Sequence, residues 1–402
     1  MLYAVTRKAI VKIARAYSLS HKAHSPPPFY VPRLVYSLSL TAYGLQLYTA
    51  FPLIPLAFPL ICTDIISVKR ETTPTFHFAM IYRRFGRTDW PVSEMGYGMW
   101  GLAGWTGSDI EEVNISLDRA VEHGCNFFDT AWGYGAGKSE EILGGLIKRH
   151  PEKRLYAATK IPPKNFKWPS RAEYPLTDCF PASHIVEYTE KSLKNLNVEQ
   201  IDLQQFHVWE DSWADQDEWK EAIQKLTQEG KVAHWGISVN RWEPDNVLQT
   251  LRTGLISSVQ VIYNIFDQAP EDNLFPLCKE LDVAVIARVP FDEGTLTGTL
   301  TKETTFPADD WRSTYFVPEN LNASVDKAEA LRPLIPAGMT MPEMALRFIL
   351  SNPGVGTIIP GMRRLRNVDA NMAASDGQGL SAGLLEQLRQ HRWDRKPTKW
   401  SQ

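Results

Sequence analysis

From Met80 onward the chain repeats one unit: a short apolar or β-branched run, a polar loop, then a stretch with apolar residues three and four apart. That switch from two-residue to 3.6-residue spacing marks strands alternating with amphipathic helices. The spacing predicts strands at 93–98, 126–129, 155–159, 202–206, 233–238, 258–262, 284–287 and 357–359. Ahead of them, residues 81–95 predict a hairpin centred on Phe85-Gly86-Arg87-Thr88. Ser108-Asp109 is a start signal for a helix over 110–122, and Ser183 for one over 184–194. Gly230 closes a helix beginning near Asp217, where a C-terminal glycine belongs. This succession predicts an α/β fold, a (β/α)₈ TIM barrel, whose usual size is ~250 residues before insertions. An open doubly wound sheet permits the same alternation. The surplus length lies in residues 161–181 and 289–318, which follow strands and would fall on the active-site rim of a barrel.

The first 79 residues do not share this pattern and are read as a non-barrel N-terminal extension, with the barrel domain spanning 80–402. No acid precedes Asp64, whereas Arg7, Lys8, Lys12, Arg15 and Lys22 give the start a transit-peptide composition. Residues 34–63 carry no charge and are long enough for one membrane span, although Pro52, Pro55 and Pro59 would each break a helix. Three readings stay open: a dispensable tail or upstream-start artefact, an organelle-targeting segment, or a membrane anchor. The barrel is expected in the cytoplasm; a genuine extension would send it to an organelle or a membrane. Net charge is −3 overall but −9 for residues 80–402, which gives the body no electrostatic reason to bind nucleic acid. Cys62, Cys125, Cys179 and Cys278 are far apart, which argues against a disulfide scaffold and fits a reducing compartment. No metal-ligand spacing occurs around Cys179, His184 or His234. Oligomeric state leaves no mark on the sequence.

Candidate chemistry gathers at the ends of three successive strands. Asp129 ends the second, Tyr134 follows in the same loop, Lys160 lies just past the third and His207 just past the fourth. In a barrel, strand carboxyl ends share one face, so the four groups can converge. Each alone has a plainer reading: a turn residue, loop packing, a solvated lysine, a structural histidine. Together they form a proton-donating apparatus. A phenol has a reference pKa near 10, and a nearby ammonium favours its ionised form. The expectation is that Lys160, with Asp129 as counter-ion, depresses the Tyr134 pKa toward neutrality, a shift of ~3 units worth ~4 kcal/mol. Neutral His207 would hold an oxygen beside the phenol, the arrangement for protonating a carbonyl oxygen as it becomes an alkoxide.

Asp129-Thr-Ala-Trp-Gly-Tyr134-Gly followed by Ser139-Glu140-Glu141-Ile-Leu143-Gly144 resembles the signature of the aldo-keto reductases. Tyr82-Arg-Arg-Phe-Gly-Arg87, Gly96-Tyr-Gly-Met-Trp100, Ala158-Thr-Lys160, Asp202-Leu-Gln-Gln-Phe-His207, Gly236-Ile-Ser238 and Thr357-Ile-Ile-Pro360-Gly361 follow in that family's order. The resemblance implies a (β/α)₈ barrel that reduces a small-molecule aldehyde or ketone with NADP(H), reversibly, with Asp129, Tyr134, Lys160 and His207 as catalytic residues. It implies that Ser238 and Gln260 hold the nicotinamide carboxamide and that Gly98 and Trp100 touch the cofactor. Where many members have Asn directly after the serine, this chain has Val239, with Asn240 one place on; Asn240 is expected to be an inexact stand-in, because a one-residue shift turns the side chain. Where many members stack an aromatic ring on the nicotinamide, Arg288 stands, to lie over the ring or on the pyrophosphate. Pro360, Gly361, Arg363 and Arg364 open a helix suited to the 2′-phosphate, and Asn371 matches an adenine contact. The family also contains channel-associated barrels that bind nucleotide as regulatory subunits, the alternative reading of function.

Two glycine patterns are decoys. Gly96-Tyr-Gly98-Met-Trp-Gly101 fits GxGxxG, yet eight residues separate it from the next helix, which spoils the phosphate geometry of an open-sheet dehydrogenase. Gly133–Ser139 resembles a P-loop with the wrong spacing. Among 13 tryptophans, Trp105, Trp132 and Trp209 are expected to wall a substrate pocket for apolar or aromatic carbonyls.

Overall fold

The computed structural model describes residues 38–41, 44–47, 80–103 and 109–401. The chain divides into two units, Met1–Thr73 and Pro74–Gln402. Within the first, β1 (Leu38–Thr41) and β2 (Gly44–Leu47) pair antiparallel. The targeting and membrane-span readings fall largely outside the described residues, as does Trp105.

In the second unit β3 (Tyr82–Arg84) and β4 (Pro91–Ser93) form the predicted hairpin. Eight strands follow: β5 (Tyr97–Gly98), β6 (Phe127–Asp129), β7 (Tyr156–Ile161), β8 (Ile201–Phe206), β9 (Val232–Ser238), β10 (Ser258–Ile262), β11 (Ala284–Arg288) and β12 (Thr357–Ile358). All neighbours are parallel and in chain order. Parallel bridges Met95↔Ile358 and Gly98↔Gly361 join first strand to last, so the sheet is a closed barrel and not the open alternative. The predicted strand over 93–98 divides, its first residue serving the hairpin and its last two the barrel.

Helices α1 (Ile110–Glu122), α2 (Lys138–Arg149), α3 (Ala182–Leu196), α4 (Asp217–Gln228), α5 (Leu248–Arg252) and α6 (Leu274–Glu280) follow β5 to β10 in turn. After β11 the chain inserts α7 (Pro318–Leu331) before α8 (Met341–Leu350); α9 (Leu365–Met372) and α10 (Ala382–Arg389) complete the shell. Asp109 caps α1, its side chain accepting the Glu111 N–H at 2.8 Å. Ser183 does not cap α3, because Pro181 precedes a first turn that already starts at Ala182.

Two-residue alternation decides what fills the barrel. Phe127, Tyr156, Leu203, Ala284 and Ile286 point inward near the amino ends and pack with Phe85 and Val92 of the hairpin. The hairpin therefore plugs that end, with Trp90 stacked on Tyr156 at 4.7 Å. Further along the strands, two residues past Phe127 and Leu203 and four past Tyr156, the inward positions turn polar: Asp129, Gln205 and Lys160, joined by Gln260 of β10. Outward residues such as Phe128, Val259, Val261, Val285 and Ala287 join the core beneath the helices. Among the described residues no helix is long and apolar enough to cross a membrane.

Candidate active site

Asp129 and Lys160 meet across β6 and β7 inside the barrel mouth, 2% and 0% exposed. Lys160 Nζ donates to Asp129 Oδ1 at 2.5 Å, to the Thr130 carbonyl at 2.7 Å and to Tyr134 Oη at 3.3 Å. Three donors with three acceptors describe a fully used ammonium. Asp129 Oδ2 accepts from Gln205 Nε2 at 3.0 Å and Gln260 Nε2 at 2.8 Å. Tyr134 reaches this pair from the loop after β6, and the His207 ring stands edge-on to it with centroids 5.6 Å apart. The four residues predicted to converge do so.

One electrostatic expectation is reversed. Burial holds the Tyr134 pKa above its ordinary value of 10, outweighing the pull of Lys160. The counter-ion adds to the effect of burial: Asp129, 2.5 Å from the ammonium, opposes it at the phenol. Tyr134 is thus a protonated acid through neutral pH. His207 is held neutral, its pKa pushed well below 6.5 by burial and by the charges of Lys160 and Arg288.

Above these groups opens a cavity of about 690 Å³, lined among others by Gly98, Trp100, Tyr134, His207, Arg288 and Arg363. A smaller one of about 280 Å³ shares Tyr134, His207 and Gln260 with it and adds Ser238 and Asn240. The rim loops supply Trp168 and Trp311, which the sequence reading missed; the signal available was the length of the two loops that carry them. Trp100 meets Trp311 edge-on at 5.7 Å. Val289, Asp292 and Glu293, on the second loop, take left-handed φ of 56°, 46° and 58°. Ion pairs pin that strained stretch: Asp292 to Arg395 at 2.7 Å and Glu293 to Arg241 at 2.6 Å.

The Aldo/keto reductase family model matches residues 94–392. The chain belongs to that family. As an aldo/keto reductase it is an oxidoreductase of the alcohol–carbonyl pair. YqkF, an uncharacterized oxidoreductase of Bacillus subtilis (strain 168), is 30% identical over 313 residues, covering 77% of this chain and 95% of its own. The NADH-specific methylglyoxal reductase of Escherichia coli (strain K12) is 29% identical over 306 residues, 72% and 91% of the two chains. Among solved structures, the holo form of aldo-keto reductase AKR11C1 from Bacillus halodurans matches with a TM-score of 0.63 at 27% identity, covering 80% of this chain and all of that one.

The remaining sites of this aldo/keto reductase separate into those that face the cleft and those that do not. Ser238 is buried at the end of β9, and Gln260 lends its amide nitrogen to Asp129. Asn240 lines the smaller cavity, and its amide is engaged by Ser170, Glu210, Glu243 and the Trp209 carbonyl, which ties rim loops together. Pro360 sits in the β5–β12 seam, its carbonyl accepting the Gly98 N–H at 3.0 Å. Arg364 is exposed at the start of α9. Trp209 does not wall the pocket; it is 0% exposed among Phe206, Trp213 and Trp219 beneath the helices, bonded to Thr250 Oγ1. Trp132 turns outward onto Tyr188 of α3, leaving Gly133 and Tyr134 to face the cleft. In both loops the local direction of each side chain, not closeness in sequence, decides which ring reaches the cavity.

Arg288 Nε, Arg363 Nη1 and Asn371 Nδ2 are among the buried donors that find no protein partner among the described residues. Arg288 Nη2 donates to the Val239 carbonyl at 2.9 Å, and burial with the nearby Arg241 charge pulls its pKa down to about 10. Native interiors seldom leave donors unpaired, and two guanidiniums lining one cleft suit a ligand bearing phosphates. The donor set fits a nicotinamide dinucleotide.

Proposed function

We propose that this chain is an NADPH-dependent reductase of aldehydes or ketones, with Tyr134 as proton donor. The observation that carries the reading is the Lys160 Nζ–Tyr134 Oη contact of 3.3 Å at the floor of the cleft. Ser238 and Gln260 would hold the carboxamide, Arg288 the ring or pyrophosphate, and Arg363 with Asn371 the adenosine end. When bound, the reduced nicotinamide supplies a hydride to a carbonyl carbon. Tyr134 Oη gives its proton to the carbonyl oxygen, and Lys160 steadies the phenolate left behind. Neutral His207 offers a ring N–H to the same oxygen as charge builds on it. Trp100, Trp168 and Trp311 exclude water from the reacting bond and favour flat apolar carbonyls.

The choice of NADPH over NADH rests on Arg363, whose unpaired Nη1 suits a 2′-phosphate. Tyr134→Phe tests the proton donor: carbonyl reduction is expected to disappear while the cofactor dissociation constant stays within about twofold. Substantial turnover by that variant refutes the assignment. If the parent protein binds NADPH tightly and reduces none of a panel of aromatic aldehydes, the regulatory reading takes its place.

A further inference from the structure

Both oxygens of Asp129 are occupied, and only one of them by Lys160. Gln205 and Gln260 divide Oδ2 between them and also touch, Gln260 Nε2 lying 3.3 Å from Gln205 Oε1. Gln205 stands opposite Lys160 in the β7–β8 register and is fully buried. Interiors of such barrels are filled mainly by branched aliphatics, and a buried primary amide costs free energy unless it is bonded. An aliphatic side chain here would continue the layer begun by Leu203 at less cost. The amide is explained by the carboxylate it holds.

We propose that Gln205 is a positioning residue for the reaction: its donation to Asp129 Oδ2 keeps the carboxylate aimed at Lys160 and sets how firmly Lys160 grips the Tyr134 hydroxyl. The proposal builds on Tyr134 as proton donor. A carboxylate short of one donor draws harder on the ammonium, and the phenolate loses part of its stabilisation. The charged and titratable groups facing the phenol are Lys160, Asp129, Arg288 and His207. Of these, Gln205 hydrogen-bonds to Asp129.

The test compares Gln205→Met and Gln205→Glu in the full chain. Its first readout needs neither cofactor nor substrate: the ¹³Cζ resonance of Tyr134, assigned by its loss in Tyr134→Phe, at one fixed alkaline pH. Gln205→Met is expected to lower the ionised fraction about tenfold, one pKa unit, and kcat by a similar factor with the carbonyl KM little changed. Gln205→Glu carries the finer signature. With its new carboxyl protonated, the O–H donates to Asp129 Oδ2 and kcat approaches that of the parent. Once ionised, it repels Asp129 and kcat falls, giving an acid-favoured profile absent from the parent. An unchanged Tyr134 resonance in Gln205→Met, or a pH profile of Gln205→Glu that overlays the parent, overturns the proposal. Should Gln205→Met not fold, the Gln205→Glu profile decides alone. Full activity of Tyr134→Phe would remove the proton-donor assignment, while the resonance still reports whether Gln205 acts on the phenol.

Discussion

Replacing Lys160 by Met separates what the buried ion pair does for the fold from what it does for the chemistry. The substitution keeps the length of the side chain and deletes the bonds to Asp129 at 2.5 Å, Thr130 at 2.7 Å and Tyr134 at 3.3 Å. What remains is a carboxylate 2% exposed with no cation in contact. Breaking a buried pair by removing one partner typically costs ~3–5 kcal/mol. Gln205 and Gln260 still hold Oδ2, so the low end, about 3 kcal/mol, is expected. At roughly 2.1 cal/mol/K of unfolding entropy per residue over 80–402, that corresponds to a melting temperature ~4–5 °C lower. The stranded carboxylate prefers its proton in the folded variant, so acidification should narrow the gap. Lys160→Met combined with Asp129→Asn removes the stranded charge and is expected to recover at least half of the lost stability, while neither variant reduces carbonyls. Thermal melts by circular dichroism at several pH values, paired with nicotinamide absorbance assays, measure both quantities. A single variant melting within about 1 °C of the parent would show that the pair is not bearing the cost assigned to it. A double variant melting lower than the single would locate the damage elsewhere.

Two further outcomes follow from the cleft. Arg363→Ala is expected to raise the NADPH KM roughly 10–100-fold, the worth of a charge-assisted hydrogen bond, and the NADH KM far less; equal changes in steady-state kinetics would show that this arginine does not read the 2′-phosphate. With Tyr134 held above 10 and His207 well below 6.5, carbonyl reduction should be flat across neutral pH and fall only in the alkaline range. Alcohol oxidation, which needs the phenolate, should rise over that same alkaline range; a reduction rate that halves near pH 7 would contradict both assignments.

Much of the architecture was legible because alternation and capping are local. The strand over 258–262 is observed with the bounds the periodicity predicts, and Asp109 caps α1 as its position suggests. Asp129, Lys160 and His207 were legible for a related reason: each lies within one residue of the carboxyl end of a strand, and parallel strands bring their ends together whatever the loops do. Side-chain direction in loops carries no such period, which is why Trp209 and Trp132 were placed in the cleft although they face the helices. Asn240 was expected to be an inexact match; its engagement with Glu210 and Ser170 depends on loops 30 or more residues away. The acidity of Tyr134 was read with the wrong sign, because the sum of burial, Lys160 and Asp129 depends on distances that no sequence displays. Gln205 offered no motif of its own, being only the residue two before His207.

The seam between β5 and β12 is short, two residues on either side, and a Cβ at Gly98 would lie 2.5 Å from the Ile359 carbonyl oxygen. Both lips of this join carry cleft residues, Gly98 and Trp100 on one, Gly361 and Arg363 on the other. A dinucleotide straddling it would act as a rivet between the two ends of the barrel's circumference. Occupancy would then harden the whole ring against opening, by an amount that grows with the logarithm of ligand concentration over its dissociation constant.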